Sequence, residues 1–404
     1  MRRVVITGMG AICALGHDAD STWTAMREGR GAIGPICNIP TDLLNIRIAA
    51  EVRGFDPAAH FEHKRLPLLD RVSQFALVAA REAVARSGLD FRSDNLGDRT
   101  ACIVGSGIGG ENSHNEQSQR FFGDRNPRVH PLTILRVMSN APACHVGIEF
   151  GLRGPAFAVA SACASANHAM SQAFDMVRSG KVDFALTGGT EACVTEPSMK
   201  AWEAMRVTAD DTCRPFCKQR RGMVLGEGAG IFVLEEYEHA RQRGATILAE
   251  FAGSGATADA IDMVFPSEVT VARAMQIALK DAGLAAADID YINAHGTGTP
   301  ANDPTESKAI RRVFGAQADK LAVSSTKSLH GHALGAAGAI ELVAAIGALR
   351  EGVVPPTANF IDPDPECDLD YVPNVAREMP VRAALSNSFA FGGLNAVIAL
   401  RGVG

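Results

Sequence analysis

Ala158-Val159-Ala160-Ser161-Ala162-Cys163-Ala164-Ser165-Ala166 joins a strand-like apolar run to a long helical pattern that ends at Ser179-Gly180. The chain does this a second time, where Ala322-Val323-Ser324-Ser325 feeds a helical pattern that ends at Glu351-Gly352. Two further pairs of segments keep the same order. The helix over residues 81–87, stopped by Gly88-Leu89, precedes the strand Ala101-Cys102-Ile103-Val104-Gly105, and residues 276–282, stopped by Gly283-Leu284, precede Tyr291-Ile292-Asn293-Ala294-His295-Gly296. The run from Gly226 to Leu234 is matched by the run from Phe391 to Leu400. Three echoes in one order predict a duplicated α/β unit, although two generic βα units could also look alike. Strands alternating with helices predict mostly parallel sheets covered by helices on both faces. The boundary is placed between residues 248 and 249. No low-complexity linker separates the halves, so they should share one packed body.

Bulk properties narrow the function. The 404 residues are 47% apolar and 21% charged, as in a globular protein, and the net charge of −6 supplies no overall attraction to nucleic acid or an anionic membrane. Nine cysteines, an odd number without framework spacing, argue against a disulfide scaffold and for a reducing cytoplasm. Cys213 and Cys217 form a lone C-x-x-x-C without a second pair, so zinc is not expected there. Met1-Arg2-Arg3 followed by an apolar run imitates a signal peptide, but the early glycines of Thr7-Gly8-Met9-Gly10 read as a first buried strand. No apolar stretch is long enough to insert across a bilayer.

Cys163 stands where a strand gives way to a helix. A thiol there meets unpaired N–H groups and the positive end of the helix dipole, both of which favour thiolate. The plainer reading is a small buried hydrophobe. His295-Gly296-Thr297-Gly298-Thr299-Pro300 leaves another strand, as does Ser324-Ser325-Thr326-Lys327-Ser328-Leu329-His330-Gly331-His332. Sites in α/β sheets gather at the carboxyl ends of strands, so Cys163, His295, Lys327 and His332 are expected to converge, with His330 outside on the surface. Cys, two His and Lys without further thiolates or carboxylates suit thioester chemistry better than zinc. Gly105, Gly107 and Gly110 satisfy G-x-G-x-x-G after a strand, but the following Glu111-Asn112-Ser113 is acidic and would repel a pyrophosphate.

Taken together, these motifs resemble the β-ketoacyl-[acyl-carrier-protein] synthases across essentially the whole chain. The resemblance rests on Val5-Ile6-Thr7-Gly8-Met9-Gly10, the Cys163 turn, Arg214-Pro215-Phe216, Gly226-Glu227-Gly228-Ala229-Gly230, the His295 turn, Lys327 to His332, and Asn387-Ser388-Phe389-Ala390-Phe391-Gly392-Gly393. The two-histidine pattern is similar to the type I and II enzymes. Ala-Phe-Gly-Gly-Leu-Asn over 390–395 and Met26-Arg27-Glu28-Gly29-Arg30 look like the nodulation protein E subgroup. The implied fold is the thiolase-like duplicated α/β/α/β/α five-layer sandwich, and the implied assembly is a homodimer.

The resemblance implies that Cys163 takes an acyl chain from the phosphopantetheine arm of an acyl carrier protein and condenses it with malonyl carrier. The N–H groups of Cys163 and Phe391 would form the oxyanion hole, and His295 and His332 would stabilise the enolate. Lys327 would organise charge near His332 with Glu306 as its partner. Thr297 and Thr299 would hold the pantetheine arm, while Ile108, Phe389 and Phe391 would shape the pocket and gate. Ala390 replaces a glycine of that gate, which would stiffen it, and Leu394 replaces a threonine. Lys64, Arg65 and Arg206 would dock the acidic carrier, with the apolar Leu66-Pro67-Leu68 pointing to a dedicated one. Asn293, Glu341, Ser386 and Asn387 would hold a structural monovalent cation, and no cofactor is required. Two other readings stand beside this one. A thiolase-type enzyme would need a second catalytic cysteine, and Cys367 lacks that setting. A chain-length partner subunit would generally lack the nucleophile.

Overall fold

The structure, a computed structural model, describes residues 1–403. Ten strands form one continuous sheet. Five come from the first half of the chain: β1 (Val4–Cys13), β2 (Thr100–Gly105), β3 (Ala156–Val159), β4 (Phe184–Glu191) and β5 (Gly228–Glu236). Five come from the second: β6 (Ala249–Ala258), β7 (Tyr291–Asn293), β8 (Ala322–Ser324), β9 (Ala383–Ala390) and β10 (Leu394–Arg401). Counted outward from the middle, the first half runs β1-β5-β4-β2-β3 and the second β6-β10-β9-β7-β8. The order is the same in both. So is the polarity, with two antiparallel pairs followed by two parallel ones. The sheets are therefore mixed, not mostly parallel as expected. The reason is that β1, β5 and β6 are separated by helices in sequence yet return as antiparallel neighbours, while β10 follows β9 directly in a hairpin.

The halves meet at a short antiparallel seam, where Val4, Val5 and Ile6 of β1 pair with Phe251, Glu250 and Ala249 of β6. Two helices lie between them: α3 (Ser165–Arg178) and α6 (Ala337–Glu351) touch each other and strands of both half-sheets. The outer face of the first half carries α1 (Arg71–Ser87) and α2 (Ala141–Phe150), and that of the second carries α4 (Glu268–Ala282) and α5 (Asn302–Phe314). The result is five layers, α/β/α/β/α.

The sequence explains which helices go inside. α1 and α4 have a buried stripe and a solvent face, and each ends at a left-handed glycine, Gly88 (φ 69°) and Gly283 (φ 63°). By contrast α6 is apolar all round and buried from Ala337 to Ala348, as a helix between two sheets must be. Its central core joins Met170 and Phe174 of α3, Ile340 and Val343 of α6, Phe232 of β5 and Ile398 of β10. The two central helices cross so closely at Gly338 that a Cβ there would collide with Asn167 Oδ1. Gly338→Ala should therefore cost about 1–3 kcal/mol, the usual effect of overpacking, read as a lower urea midpoint. An unchanged midpoint would mean that the helices have room to spare.

Candidate active site

Cys163 is held by a strained turn. Ala162 just before it has φ +48°, unusual for a residue with a side chain and costly by about 1–2 kcal/mol. The strain is contained locally: Ser165 Oγ donates to Ala162 O (2.7 Å) and accepts from Ser161 N (2.9 Å). The second half repeats the device. Leu334, φ +42°, precedes the start of α6 by the same three residues that separate Ala162 from the start of α3.

The turns after β3, β7 and β8 bring the candidate residues together. A sulfur or ring-nitrogen atom of each of Cys163, His295 and His332 lies within 4.8 Å of the other two, and all three residues are buried. The imidazoles meet edge to face at 5.4 Å, and Phe389 abuts His295 at 6.0 Å. They face a cavity of about 280 Å³ that is also lined by Thr297, Thr299, Phe389, Ala390 and Phe391, with Arg206 among its residues. Ile108 does not line it. Its N–H instead donates to Glu191 Oε1 at 3.2 Å, and its side chain is about a third exposed.

Lys327 sets the electrostatics. Its ammonium is fully buried, donates to His295 O at 2.6 Å, forms an ion pair with Glu341, and lies 3.4 Å from His295 Nδ1. Glu341, not Glu306, is thus its carboxylate partner. Glu306 accepts instead from the N–H groups of His295 (2.9 Å) and Gly296 (2.8 Å), fixing the turn. Since an ammonium can only donate, His295 Nδ1 faces it as acceptor and Nε2 carries the proton, an assignment inferred from this contact. Burial first, and the Lys327 charge second, hold His295 and His332 well below the ordinary histidine value, so both are neutral. Neither ring nitrogen of His332 has a protein partner. In the neutral ring one of them carries the proton, and that N–H is free to donate to a bound oxygen.

The thiolate expected from the helix terminus is not the resting form. Burial pushes the Cys163 thiol up to about 12, against the pull of Lys327 and of the N–H groups of Phe391 and Cys163 that bear on the sulfur. It rests as a thiol. His330 is also not on the surface: it is buried, bonded through Nε2 to Thr326 Oγ1 at 3.0 Å, and pushed down to about 3 by burial.

The gate is restrained from outside. Gly392 N donates to Met263 O (2.8 Å), Asp259 N donates to Gly393 O (2.8 Å), and Asp259 Oδ1 accepts from Asn395 Nδ2 (2.6 Å). Positive φ belongs to Gly392 (82°) and Gly393 (69°), whereas Ala390 ends β9 in ordinary strand geometry opposite Leu394, so its methyl adds no backbone strain. Asp259 gives no motif signal. Neither does Asp303, which accepts from Phe216 N (2.7 Å) and Gly298 N (3.2 Å) beneath Thr297 and Thr299, nor Trp202, whose ring lies 6.0 Å from that of Phe391.

Other candidates sort by their surroundings. Lys64 pairs with Glu62 at 2.8 Å and Arg65 pairs with Glu149, while Arg206 has no ion-pair partner among the described residues. Asn293 Oδ1, Glu341 Oε2 and Ser386 Oγ are buried without partners, and Asn293 and Ser386 are paired across β7 and β9. Asn387 departs from the set. Its Oδ1 is also buried without a partner, but alternation along β9 turns the side chain to the opposite face, where Nδ2 donates to Glu306 and Met275. Cys163, His295 and His332 could reach one ion, but the Lys327 ammonium beside them opposes a cation there. The G-x-G-x-x-G turn is filled by the protein's own anion, since the N–H groups of Gly107 and Ile108 donate to Glu191.

Comparison with known proteins agrees with this geometry. Residues 1–240 match the N-terminal domain of β-ketoacyl synthases and residues 248–361 the C-terminal domain. Nodulation protein E of Rhizobium meliloti (strain 1021) is 50% identical, with all of both chains covered. 3-Oxoacyl-[acyl-carrier-protein] synthase 2 of Staphylococcus aureus (strain N315) is 42% identical, over 99% of this chain and 98% of that one. The solved ishigamide ketosynthase/chain length factor superposes with a TM-score of 0.95 at 38% identity, with both chains fully covered. The strained cysteine turn and the two neutral imidazoles thus lie in a chain that matches both domains of a condensing enzyme, and the chain belongs to the β-ketoacyl synthase family.

Proposed function

We propose that Cys163 carries the acyl chain and that His295 and His332 stabilise the enolate of a decarboxylating malonyl carrier, making the protein a type II 3-oxoacyl-[acyl-carrier-protein] synthase. One observation carries this reading: the thiol and two neutral imidazoles share one buried cavity within 4.8 Å. In the first stage the Cys163 sulfur attacks the thioester carbonyl of acyl carrier, its proton passes to the departing pantetheine sulfur, and an acyl–Cys163 thioester remains. In the second, malonyl carrier loses carbon dioxide. His295 Nε2–H and a ring N–H of His332 hold the resulting enolate oxygen. The enolate carbon then attacks the acyl carbonyl, whose oxyanion accepts from the N–H groups of Cys163 and Phe391. Collapse releases 3-oxoacyl carrier, and the Cys163 thiolate takes up a proton. Each such donor is worth about 3 kcal/mol of barrier.

Thr297 and Thr299, bonded to each other at 2.9 Å on the cavity wall, are assigned to the pantetheine arm. Phe389 and Phe391 are assigned to the gate. Arg206 is the carrier-facing cation best supported by its free charge beside the cavity. Lys64 and Arg65 belong to a separate open groove with Arg81 and Arg92 and contribute less because acids already pair them. A monovalent cation among Asn293, Glu341 and Ser386 would share the Glu341 carboxylate with Lys327. The chain is further placed as a dedicated synthase of nodulation protein E type with its own carrier, with its halves dividing at residues 248/249, where β6 begins.

A homodimer is favoured by the open edge of β3, whose Phe157 is exposed beside no further strand. Exposed Phe121, Phe122, Ile134, Leu135 and Ile148 add apolar surface of the kind that marks interfaces. Light scattering should give twice the 42.5 kDa chain mass. A mass that doubles only when a distinct chain-length partner is added would replace the homodimer with a heterodimer. None of the nine cysteines is paired, which supports a cytoplasmic location.

Incubation with a panel of acyl carriers, followed by intact mass measurement, should show a single acyl adduct that disappears in Cys163→Ala. An adduct surviving that substitution would end the nucleophile assignment. His332→Ala should slow malonyl decarboxylation about 10²–10³-fold while leaving the acyl adduct in place; a full decarboxylation rate would remove its role at the enolate.

The pH dependence has a definite sign. The mechanism needs neutral imidazoles, and both are held below the ordinary histidine value of 6.5. The acid limb of kcat/KM should therefore fall below pH 6.5, and a limb centred at or above it would contradict the assigned state. Stability follows the same groups: unfolded histidines take up protons first, so the fold loses stability as pH falls through 6.5.

A further inference from the structure

We propose that Glu191 is a positioning residue for Cys163: its carboxylate ties the Gly107–Ile108 turn of the first half to Gly335 of the second, the two segments that border the turn carrying the nucleophile. Glu191 ends β4 and is fully buried, yet no lysine or arginine pairs with it among the described residues. Four other donors satisfy it. Oε1 accepts from Ser106 Oγ (3.0 Å) and Ile108 N (3.2 Å), and Oε2 accepts from Gly107 N (2.7 Å) and Gly335 N (3.0 Å). A buried carboxylate without a counter-ion is costly, and the four donors are what keep it tolerable.

Both bound segments border the nucleophile. A Cβ on Gly107 would lie 2.9 Å from Glu191 Oε2 and 3.6 Å from Ala162 O, so this glycine is sandwiched between the carboxylate and the strained residue before Cys163. Leu334, next to Gly335, packs in the same apolar cluster as Cys163. The neighbours of both left-handed residues, Gly107 against Ala162 and Gly335 beside Leu334, are thus held to one carboxylate. The charged or titratable groups facing the Cys163 sulfur are Lys327, Glu191, His295 and His332, and the two imidazoles are neutral. Among the charged pair, Lys327 favours thiolate and Glu191 opposes it. Burial holds the Glu191 carboxyl above its ordinary value, and its four hydrogen bonds offset that rise only in part.

Glutamine cannot replace it. With its NH2 at the Oε2 position, Gly107 and Gly335 lose their acceptor; at the Oε1 position, Ser106 Oγ can turn to accept but Ile108 N–H is left without one. The test is alkylation of Cys163 by iodoacetamide across pH, followed at the Cys163 peptide because Cys37 and Cys144 are exposed. It is run beside condensation on full-length wild type, Glu191→Gln and Glu191→Asp. Loss of the charge in Glu191→Gln should move the alkylation profile to lower pH by about half a pH unit or more, which raises the rate at a fixed pH about threefold or more. Condensation should meanwhile fall about 30-fold or more, the scale of a displaced reacting group.

A merely structural defect would lower both rates together, so opposite directions identify the role. Glu191→Asp keeps the charge on a shorter arm: its alkylation profile should stay at the wild-type position while condensation falls, which also serves if the glutamine variant does not fold. An unmoved profile in folded Glu191→Gln, or full condensation in Glu191→Asp, overturns the proposal. This role rests on Cys163 being the acyl carrier, and wild type checks that separately. Wild type without an acyl adduct at Cys163 defeats the functional reading, whereas normal wild-type acylation with unchanged variants defeats only the role of Glu191.

Discussion

The buried ammonium of Lys327 is the interaction on which the site depends. Placing a charge where the side chain has no exposure is expensive, by several kcal/mol even after relaxation, and three contacts offset that cost: the Glu341 carboxylate, the His295 carbonyl and the acceptor face of the His295 ring. Each contact fixes something the chemistry needs. The carbonyl bond holds the turn after β7 in place. The ring contact selects the His295 tautomer and points its proton toward the cavity. The charge itself helps burial keep both imidazoles neutral and is the main favourable influence on ionisation of Cys163. Because Glu341 lies on the central helix α6, the pair also couples the reacting groups to the most buried layer of the fold.

Duplication supplies the frame for this arrangement. Two half-sheets with one strand order put the turns after β3 and β8 in equivalent positions, and both turns hold a left-handed residue three positions before a central helix. The halves then diverge. The first turn is short and presents a sulfur. The second is longer and carries Lys327, His330 and His332 before its helix begins. Symmetry in the backbone therefore yields asymmetry in side chains, with the cysteine from one copy and the two histidines and the charge from the other.

What sequence can and cannot disclose follows from this. The echoed segments carry the duplication because helix stops such as Gly88 and Gly283 are local signals, and the converging turns follow because strand ends share one edge. Strand polarity is lost, since alternation of strand and helix does not say on which side a strand returns. A Cys163 thiolate is the expectation from a local helix effect, whereas the burial that overrides it is assembled from the 32–50 segment, Met199, Met223 and the β9–β10 hairpin. Glu306 and Glu341 are both acids within reach of the site, and only the folded geometry distinguishes the one that pairs with Lys327 from the one that holds the His295 turn. Asn387 stands beside Ser386 in sequence, yet strand alternation takes it out of the cation set. Asp259, Asp303, Glu191 and Trp202 are invisible in sequence because each acts through backbone N–H groups, carbonyls or ring packing that no residue pattern records.

The two free ring nitrogens of His332 link stability to chemistry. A buried imidazole without partners forgoes hydrogen bonds worth about 1–3 kcal/mol relative to a satisfied one, and in a core with no further purpose such a residue would be poorly tolerated. Here the missing partner is on the cavity side, a few ångströms from the sulfur. Under the proposed mechanism, an enolate oxygen arriving there would meet one ring N–H that needs no reorganisation and has no competing protein acceptor to leave, so the interaction would strengthen as negative charge develops. The unsatisfied group would then be a cost of the resting protein that charge relieves more than a neutral carbonyl does, which would favour carbanion formation over simple substrate binding.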